Sequence, residues 1–256
     1  MRDVGGGADV GRTILHLPER FRVSLAVWLA PAVATLVARW VLGDDPTAAA
    51  VQRLGYGWPA LEDGRLWTLV TGAVVVPSLA ISLAPSFSLV GVVLLEARAD
   101  HWRTAVAFVG GQLVGVVVAL AITWPLHGSD GAFAHETTDT VDFGFSVGGF
   151  AALGLWTAYL SATWRRPLRL AITLYLLGQL LFAGHIYDVS HPIGWLLGIT
   201  AGTRWLLPPD EPDRLPVQVP RDVAWLAVAG VIGTAAGVVA GWNAGGIGGI
   251  FGWGPD

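Results

Sequence analysis

The sequence contains no cysteine and no lysine. The absence of cysteine excludes disulfides, thiolate catalysis and cysteine-ligated metal sites. All 15 basic residues are arginines, scattered along a chain of 256 residues with a formal net charge of -4, so no basic patch of the kind that binds nucleic acid is present. Only 13% of the residues are charged, whereas 54% are hydrophobic. This balance is not that of a soluble domain and predicts a polytopic membrane protein.

Hydrophobic runs of about twenty residues, long enough to cross a bilayer as a helix, recur along the chain. The second run contains Pro77 and Pro85, where we expect a kink or a break. We therefore predict an all-α fold, a polytopic membrane helix bundle over residues 23–242, with an N-terminal arm at 1–22 and a short glycine-rich tail at 243–256. The predicted spans are 23–42, 66–94, 104–124, 143–163, 168–187, 189–207 and 222–242.

The distribution of arginine predicts an orientation, because cytoplasmic loops of membrane proteins are enriched in basic residues. Arginines occur in the N-terminal arm and in three links that fall on the same side of the membrane, whereas the opposite links at 125–142 and 185–191 contain none. The first outer link, with Arg53 and Arg65, is an exception. We expect a multi-pass protein of the cell membrane with a cytoplasmic N-terminus.

Two short segments place a reactive polar side chain near the start of a predicted span. Ser146 lies in Gly-Phe-Ser-Val-Gly at 144–148, and His191 begins His-Pro-Ile-Gly at 191–194. In the predicted orientation both lie just below the outer surface. Alone, such a serine is usually a helix cap or packing residue and such a histidine a polar end group. Together, at similar depth on different spans, they are costly to desolvate and indicate a Ser-His dyad within the bilayer.

Glycines at four-residue spacing recur and are typical of membrane helices that pack closely. Gly194 and Gly198 share a helix face with His191, and we expect close approach there to bring the imidazole against the helix that carries Ser146. The remaining glycines with this spacing are interpreted as packing positions only: Gly111, Gly115, Gly202, Gly233, Gly237 and Gly241.

The two segments together resemble the rhomboid family of intramembrane serine proteases. That family has G-x-S-G at the start of its fourth span and a histidine followed by G-x-x-x-G in its sixth. Gly144 and Ser146 fit the first pattern, and His191 with Gly194 and Gly198 fits the second. The resemblance covers most of the chain, as six core spans plus a seventh.

Further positions extend the resemblance. Phe150 lies four residues after the serine, where the family usually has an aromatic ring that stacks on the histidine. An amphipathic first outer link at 43–64 precedes Leu-Trp-Thr-Leu-Val-Thr at the start of the second span, and Glu96 matches a glutamate that the family often has at the inner end of that span.

The resemblance implies peptide hydrolysis near the outer face of the membrane, with Ser146 as nucleophile and His191 as general base. It implies no cofactor and no metal, and its expected partners are the lipid bilayer and single-span or polytopic membrane protein substrates. A third carboxylate is not needed, and we interpret the nearby Asp142 and Asp188 as solvated loop acids.

The chain also departs from the family pattern. The region 80–85 lacks the histidine and asparagine that supply oxyanion donors in the family, and Val147 replaces the glycine after the serine. Thr68 stands where the family has an arginine, with Arg65 as a candidate replacement. A rhomboid-like pseudoprotease that binds the transmembrane helices of clients without cutting them is therefore the alternative.

Other chemistries fit less well. The G-x-S-x-G of soluble hydrolases requires a strand before the serine, which a spanning segment excludes. A metal triplet of His185, Asp188 and His191 has suitable ligand types, but no H-E-x-x-H motif accompanies it. A transporter would carry charges at the centres of its spans, and these spans have almost none.

Overall fold

The computed structural model of the chain describes residues 21–42, 46–76, 87–182 and 185–206. Over these ranges it is helical and contains no strand, only an isolated antiparallel bridge between Tyr56 and Asp142, so the predicted all-α class is confirmed. Most of the predicted N-terminal arm, the seventh span and the tail lie outside the described ranges.

The described ranges contain eleven α-helices. In chain order they are α1 (Arg22–Leu42), α2 (Pro46–Leu54), α3 (Trp58–Glu62), α4 (Thr68–Thr71), α5 (Phe87–Glu96), α6 (His101–Thr123), α7 (Ala132–Thr138), α8 (Ser146–Trp156), α9 (Ala162–Phe182), α10 (Ile186–Leu197) and α11 (Thr203–Trp205). Short 3₁₀ turns follow α4 (Gly72–Val74), α6 (Trp124–Leu126) and α8 (Thr157–Tyr159), and a π-helical turn (Gly198–Gly202) joins α10 to α11.

Several predicted boundaries are wrong. The predicted span 143–163 contains an α-helix of only 11 residues, because α8 begins at Ser146 and its final 3₁₀ turn gives way to extended backbone at Leu160. Helix α9 begins at Ala162, so the arginines expected in a link lie in its first turns. Arginine is a good helix former and does not mark a helix boundary by itself.

The predicted second span is not one uninterrupted helix. After α4 and its 3₁₀ turn the backbone becomes extended at Val75, and the next described helix begins at Phe87. Val76 precedes Pro77, and the residue before a proline avoids the helical conformation. The break expected from the prolines therefore begins before the first of them.

Helix α8 lies at the centre of the described bundle and contacts α5, α6 and α10. Every residue from Val147 to Trp156 is buried. A helix that is apolar on all sides is one that its neighbours enclose. The half-buried residue that begins this helix, Ser146, is therefore followed directly by ten buried ones.

Helix α1 is joined to this bundle by a buried carboxylate. Glu96, at the end of α5, accepts hydrogen bonds from the backbone N–H of Val23 (2.8 Å) and Ser24 (2.7 Å) and from the Ser24 hydroxyl. His101 Nδ1 lies 2.7 Å from Glu96 Oε1, the oxygen that accepts from Val23. A helix leaves its first N–H groups without partners, so Glu96 caps α1 from a distant part of the chain.

Among the described helices, the segment His101–Leu126 is the one long and apolar enough to cross a membrane. Large hydrophobic side chains are also exposed on other helices, among them Leu29, Val33 and Trp40 of α1 and Leu170, Leu174 and Leu181 of α9. The remaining predicted spans stay predictions.

Candidate active site at the start of helix α8

Ser146 is the first residue of α8, and the backbone before it makes a sharp turn. Gly144 has a φ of 95°, in the left-handed region that favours glycine. Its N–H donates to the carbonyl of Gly72 (2.7 Å), which fixes the loop against the end of α4. The glycine predicted from the motif is therefore required by the turn that delivers Ser146.

The structure brings Ser146 and His191 together. Ser146 Oγ lies 2.7 Å from His191 Nε2, although the residues are 45 positions apart on α8 and α10. This is the distance of a good hydrogen bond and suits a serine O–H that donates to a neutral imidazole nitrogen. Within the described residues His191 Nδ1 has no hydrogen-bond partner. The pair is therefore a dyad in this part of the chain.

Close packing of α10 on α8 allows this contact. A Cβ atom at Gly194 would overlap the carbonyl of Val147, and one at Gly198 would overlap the carbonyl of Ala151. Gly115 of α6 also faces Val147, whose Cγ1 lies 2.5 Å from where a Cβ of Gly115 would be. The fully buried Val147 therefore occupies space left by glycines on two helices.

Two aromatic rings lie beside the imidazole. The ring centroid of Phe150 is 4.9 Å from that of His191 with an interplanar angle of 46°, and that of Tyr187 is 5.7 Å away at 43°. Both are tilted contacts within the range of favourable aromatic pairs. Phe150 was expected in this place and Tyr187 was not, although its position four residues before His191 on one helix predicts the contact.

Sequence reasoning missed a buried amide next to the serine. Gln112, in the middle of α6 and only 2% exposed, donates from Nε2 to the carbonyl of Gly144 (3.0 Å). Its Oε1 accepts from the N–H of Gly148 (2.9 Å). A single amide side chain within a long apolar run is a signal in the sequence, because such a group inside a bilayer requires partners.

The interpretation of the two nearby aspartates as solvated is wrong, since Asp142 is 3% and Asp188 is 1% exposed. Asp142 accepts from the Tyr56 hydroxyl (2.7 Å) and from the Phe143 N–H (2.7 Å), and a backbone bridge to Tyr56 covers it. Burial raises the pKa of Asp142 to about 7, and these hydrogen bonds offset only part of that rise. The burial of Asp142 results from the packing of residues 55–57 against residues 140–142, which local composition does not encode.

Arg65, the candidate replacement for the missing arginine, bonds residues close to it in the chain. Arg65 donates to the carbonyls of Gln52 (2.9 Å) and Arg53 (3.2 Å) at the end of α2 and pairs with Asp63 (3.0 Å). Thr68 is fully buried and donates to the Arg65 carbonyl (2.6 Å). The region 80–85, where the family has its oxyanion donors, lies outside the described residues.

The disfavoured alternative of a metal triplet at His185, Asp188 and His191 has each histidine bonded to a different partner. His185 Nδ1 lies 2.8 Å from Glu136 Oε2, and His191 Nε2 is taken by Ser146. Asp188 Oδ2 accepts from the backbone N–H of His185 (3.1 Å) and caps α10. Across the part of the chain that the structure describes, no three potential ligands converge.

No family model, no curated protein and no solved structure matches the chain. Its function has to be inferred from its own residues and their geometry.

Proposed function

We propose that the chain is an intramembrane serine endopeptidase of the rhomboid type, which cleaves transmembrane substrates near the outer face of the membrane. The observation that carries the proposal is the 2.7 Å contact between Ser146 Oγ and His191 Nε2. A hydroxyl held on a neutral imidazole is the arrangement of a nucleophile and its general base.

In the proposed reaction His191 takes the proton of Ser146 as Oγ attacks a substrate carbonyl. The imidazolium then gives that proton to the leaving amine, and an acyl-enzyme remains on Ser146. Water, activated by the neutral imidazole, hydrolyses the ester and restores the serine. Phe150 and Tyr187 hold the ring in place throughout.

The start of α8 supports stabilisation of the developing oxyanion. Amide groups at a helix N-terminus carry partial positive charge, and those of Ser146 and Val147 are nearest the nucleophile. One donor of this kind contributes about 10²- to 10³-fold in turnover. Backbone amides would thus replace the side-chain donors that the sequence lacks.

The first experiment compares cleavage of a single-span membrane substrate by wild type and Ser146→Ala in liposomes, together with labelling by a fluorophosphonate probe. We expect both activities in wild type and neither in Ser146→Ala. Ser190→Ala is the matched control, because Ser190 is a buried serine near the site whose hydroxyl bonds the Tyr187 carbonyl (3.0 Å). Cleavage that survives in Ser146→Ala would refute the assignment.

A pseudoprotease that binds client helices is the second candidate, favoured by the absence of histidine and asparagine at 80–85. It predicts that wild type neither cleaves nor reacts with the probe, yet retains a single-span client in detergent. The retained serine–histidine contact favours the enzyme.

The membrane arrangement that we propose is a multi-pass bundle with a cytoplasmic N-terminus. Its support is the long apolar helix at His101–Leu126, the exposed large hydrophobic side chains of α1 and α9 and the arginine distribution.

Because the chain has no cysteine, single reporters test this topology. Ser129 and Ser161 are both exposed. Ser129 lies on the link 125–142, predicted to be outer, and Ser161 lies at the predicted inner end of the span 143–163. We expect an impermeant maleimide to label Ser129→Cys in intact cells and Ser161→Cys only after permeabilisation. Equal labelling of both in intact cells would contradict the arrangement.

A further inference from the structure

Gln112 bonds the backbone on both sides of the candidate nucleophile. Its Nε2 donates to the carbonyl of Gly144, two residues before Ser146, and its Oε1 accepts from the N–H of Gly148, two residues after it. The orientation of the amide is unambiguous, because a backbone carbonyl requires a donor and a backbone N–H requires an acceptor.

Helix α8 depends on this contact for its cap. Its N-cap residue is Phe145, whose side chain makes no capping hydrogen bond and instead packs against Phe108 with ring centroids 6.2 Å apart. The third N–H of the helix, that of Gly148, is satisfied by Gln112, and the fourth, that of Gly149, bonds the Phe145 carbonyl (3.2 Å). Neither of these two hydrogen bonds involves the first two N–H groups of the helix, those of Ser146 and Val147, which lie next to Ser146 Oγ.

We infer that Gln112 is a positioning residue for catalysis, which holds the turn 144–148 so that Ser146 Oγ stays on His191. The inference rests on the proposed function. A leucine would fill similar space without the cost of burying an amide, and a buried amide is tolerated only when its hydrogen bonds are made. Here both of its ends bond the backbone that carries the nucleophile.

Two variants of Gln112 distinguish a role in positioning Ser146 from a contribution to the stability of the fold alone. Gln112→Leu removes both hydrogen bonds. Gln112→Glu, at a pH at which the new carboxyl group is ionised, keeps the acceptor for Gly148 but loses the donor to Gly144. Thr104→Val is the matched control, since Thr104 is a fully buried polar residue of the same helix whose hydroxyl bonds Asp100 (3.0 Å), away from the site. All rates are expressed per folded protein.

We expect fluorophosphonate labelling of Gln112→Leu to slow on the order of 10²-fold, the loss typical of a misplaced reacting group. Gln112→Glu should fall between it and wild type, and Thr104→Val should label normally. With a cleavable substrate, kcat falls in Gln112→Leu while KM is unchanged. Labelling of Gln112→Leu at the wild-type rate would overturn the inference.

A second measurement does not depend on turnover. The ring nitrogens of His191, followed by ¹⁵N NMR and assigned with His191→Gln, report the bond to Ser146. We expect Gln112→Leu to shift these resonances towards their positions in Ser146→Ala. If wild type reacts with no probe, the proposed function fails. In that case wild-type-like resonances in Gln112→Leu would still refute the positioning role, and shifted ones would support it.

Discussion

The histidine of the site is held by packing more than by hydrogen bonds. Within the described chain its Nδ1 has no partner, while Phe150 and Tyr187 lie against the ring and Ser146 bonds its Nε2. The orientation of the imidazole therefore depends on aromatic neighbours, in contrast to triads in which a carboxylate fixes the ring.

Phe150→Leu keeps apolar bulk but removes the flat ring beside His191. An aromatic pair contributes about 0.5–1.5 kcal/mol beyond area burial, so we expect labelling of Ser146 to slow by up to about tenfold. Phe133→Leu is the control, because Phe133 is 44% exposed on α7. Labelling rates per folded protein test the prediction, and equal rates in both variants would contradict it.

At the scale of helices, glycines set how closely α6 and α10 approach α8. A Cβ at Gly111 would overlap the Cβ of Ala151, whereas nothing lies within 4 Å of a Cβ at its neighbour Gly110. These adjacent glycines therefore differ in purpose, and the four-residue spacing between Gly111 and Gly115 had identified Gly111 as the packing position.

The pair Gly110→Ala and Gly111→Ala tests this difference on one helix. Gly111→Ala overpacks the interface and is expected to lower the free energy of unfolding by about 1–3 kcal/mol. Gly110→Ala gains helix propensity and is expected to raise it by up to about 1 kcal/mol. Unfolding in mixed micelles measures both, and a Gly111→Ala protein as stable as wild type would refute the close contact.

For the molecule as a whole, two carboxyl groups make stability depend on pH in opposite directions. Burial alone would raise the pKa of Glu96, but hydrogen bonds from Ser24, Val23 and His101 outweigh it and hold the pKa below its ordinary value. Its stabilisation is therefore present above the unfolded pKa and is lost as pH falls through the folded one.

Asp142 makes stability depend on pH in the opposite direction, because burial raises its folded pKa to about 7. The stabilisation that Asp142 contributes is fully present below its unfolded pKa of about 4 and is lost as pH rises towards 7. We expect the free energy of unfolding to fall over this interval, by less in Asp142→Asn than in wild type. Glu96→Gln should instead reduce the fall in the free energy of unfolding that occurs at acid pH. A wild-type slope in Asp142→Asn would show that another group titrates there.

Much of the fold and part of the candidate site could be predicted from local sequence. The apolar composition and helical character, the turn at Gly144 and the glycine spacing around His191 are encoded within short segments, so the all-α class and the facing of α10 on α8 could be predicted. Helix ends were less predictable, since apolar content alone does not show where α8 gives way to a 3₁₀ turn.

Local sequence also determined which side chains were candidates, because a serine and a histidine are costly in apolar segments and therefore conspicuous. Only the tertiary structure decided their distance, the burial of Asp142 and the role of Gln112. Each of these depends on contacts between residues 32 to 86 positions apart in the chain. Such contacts form only when helices and links pack in one particular arrangement, and that arrangement cannot be read from any segment alone.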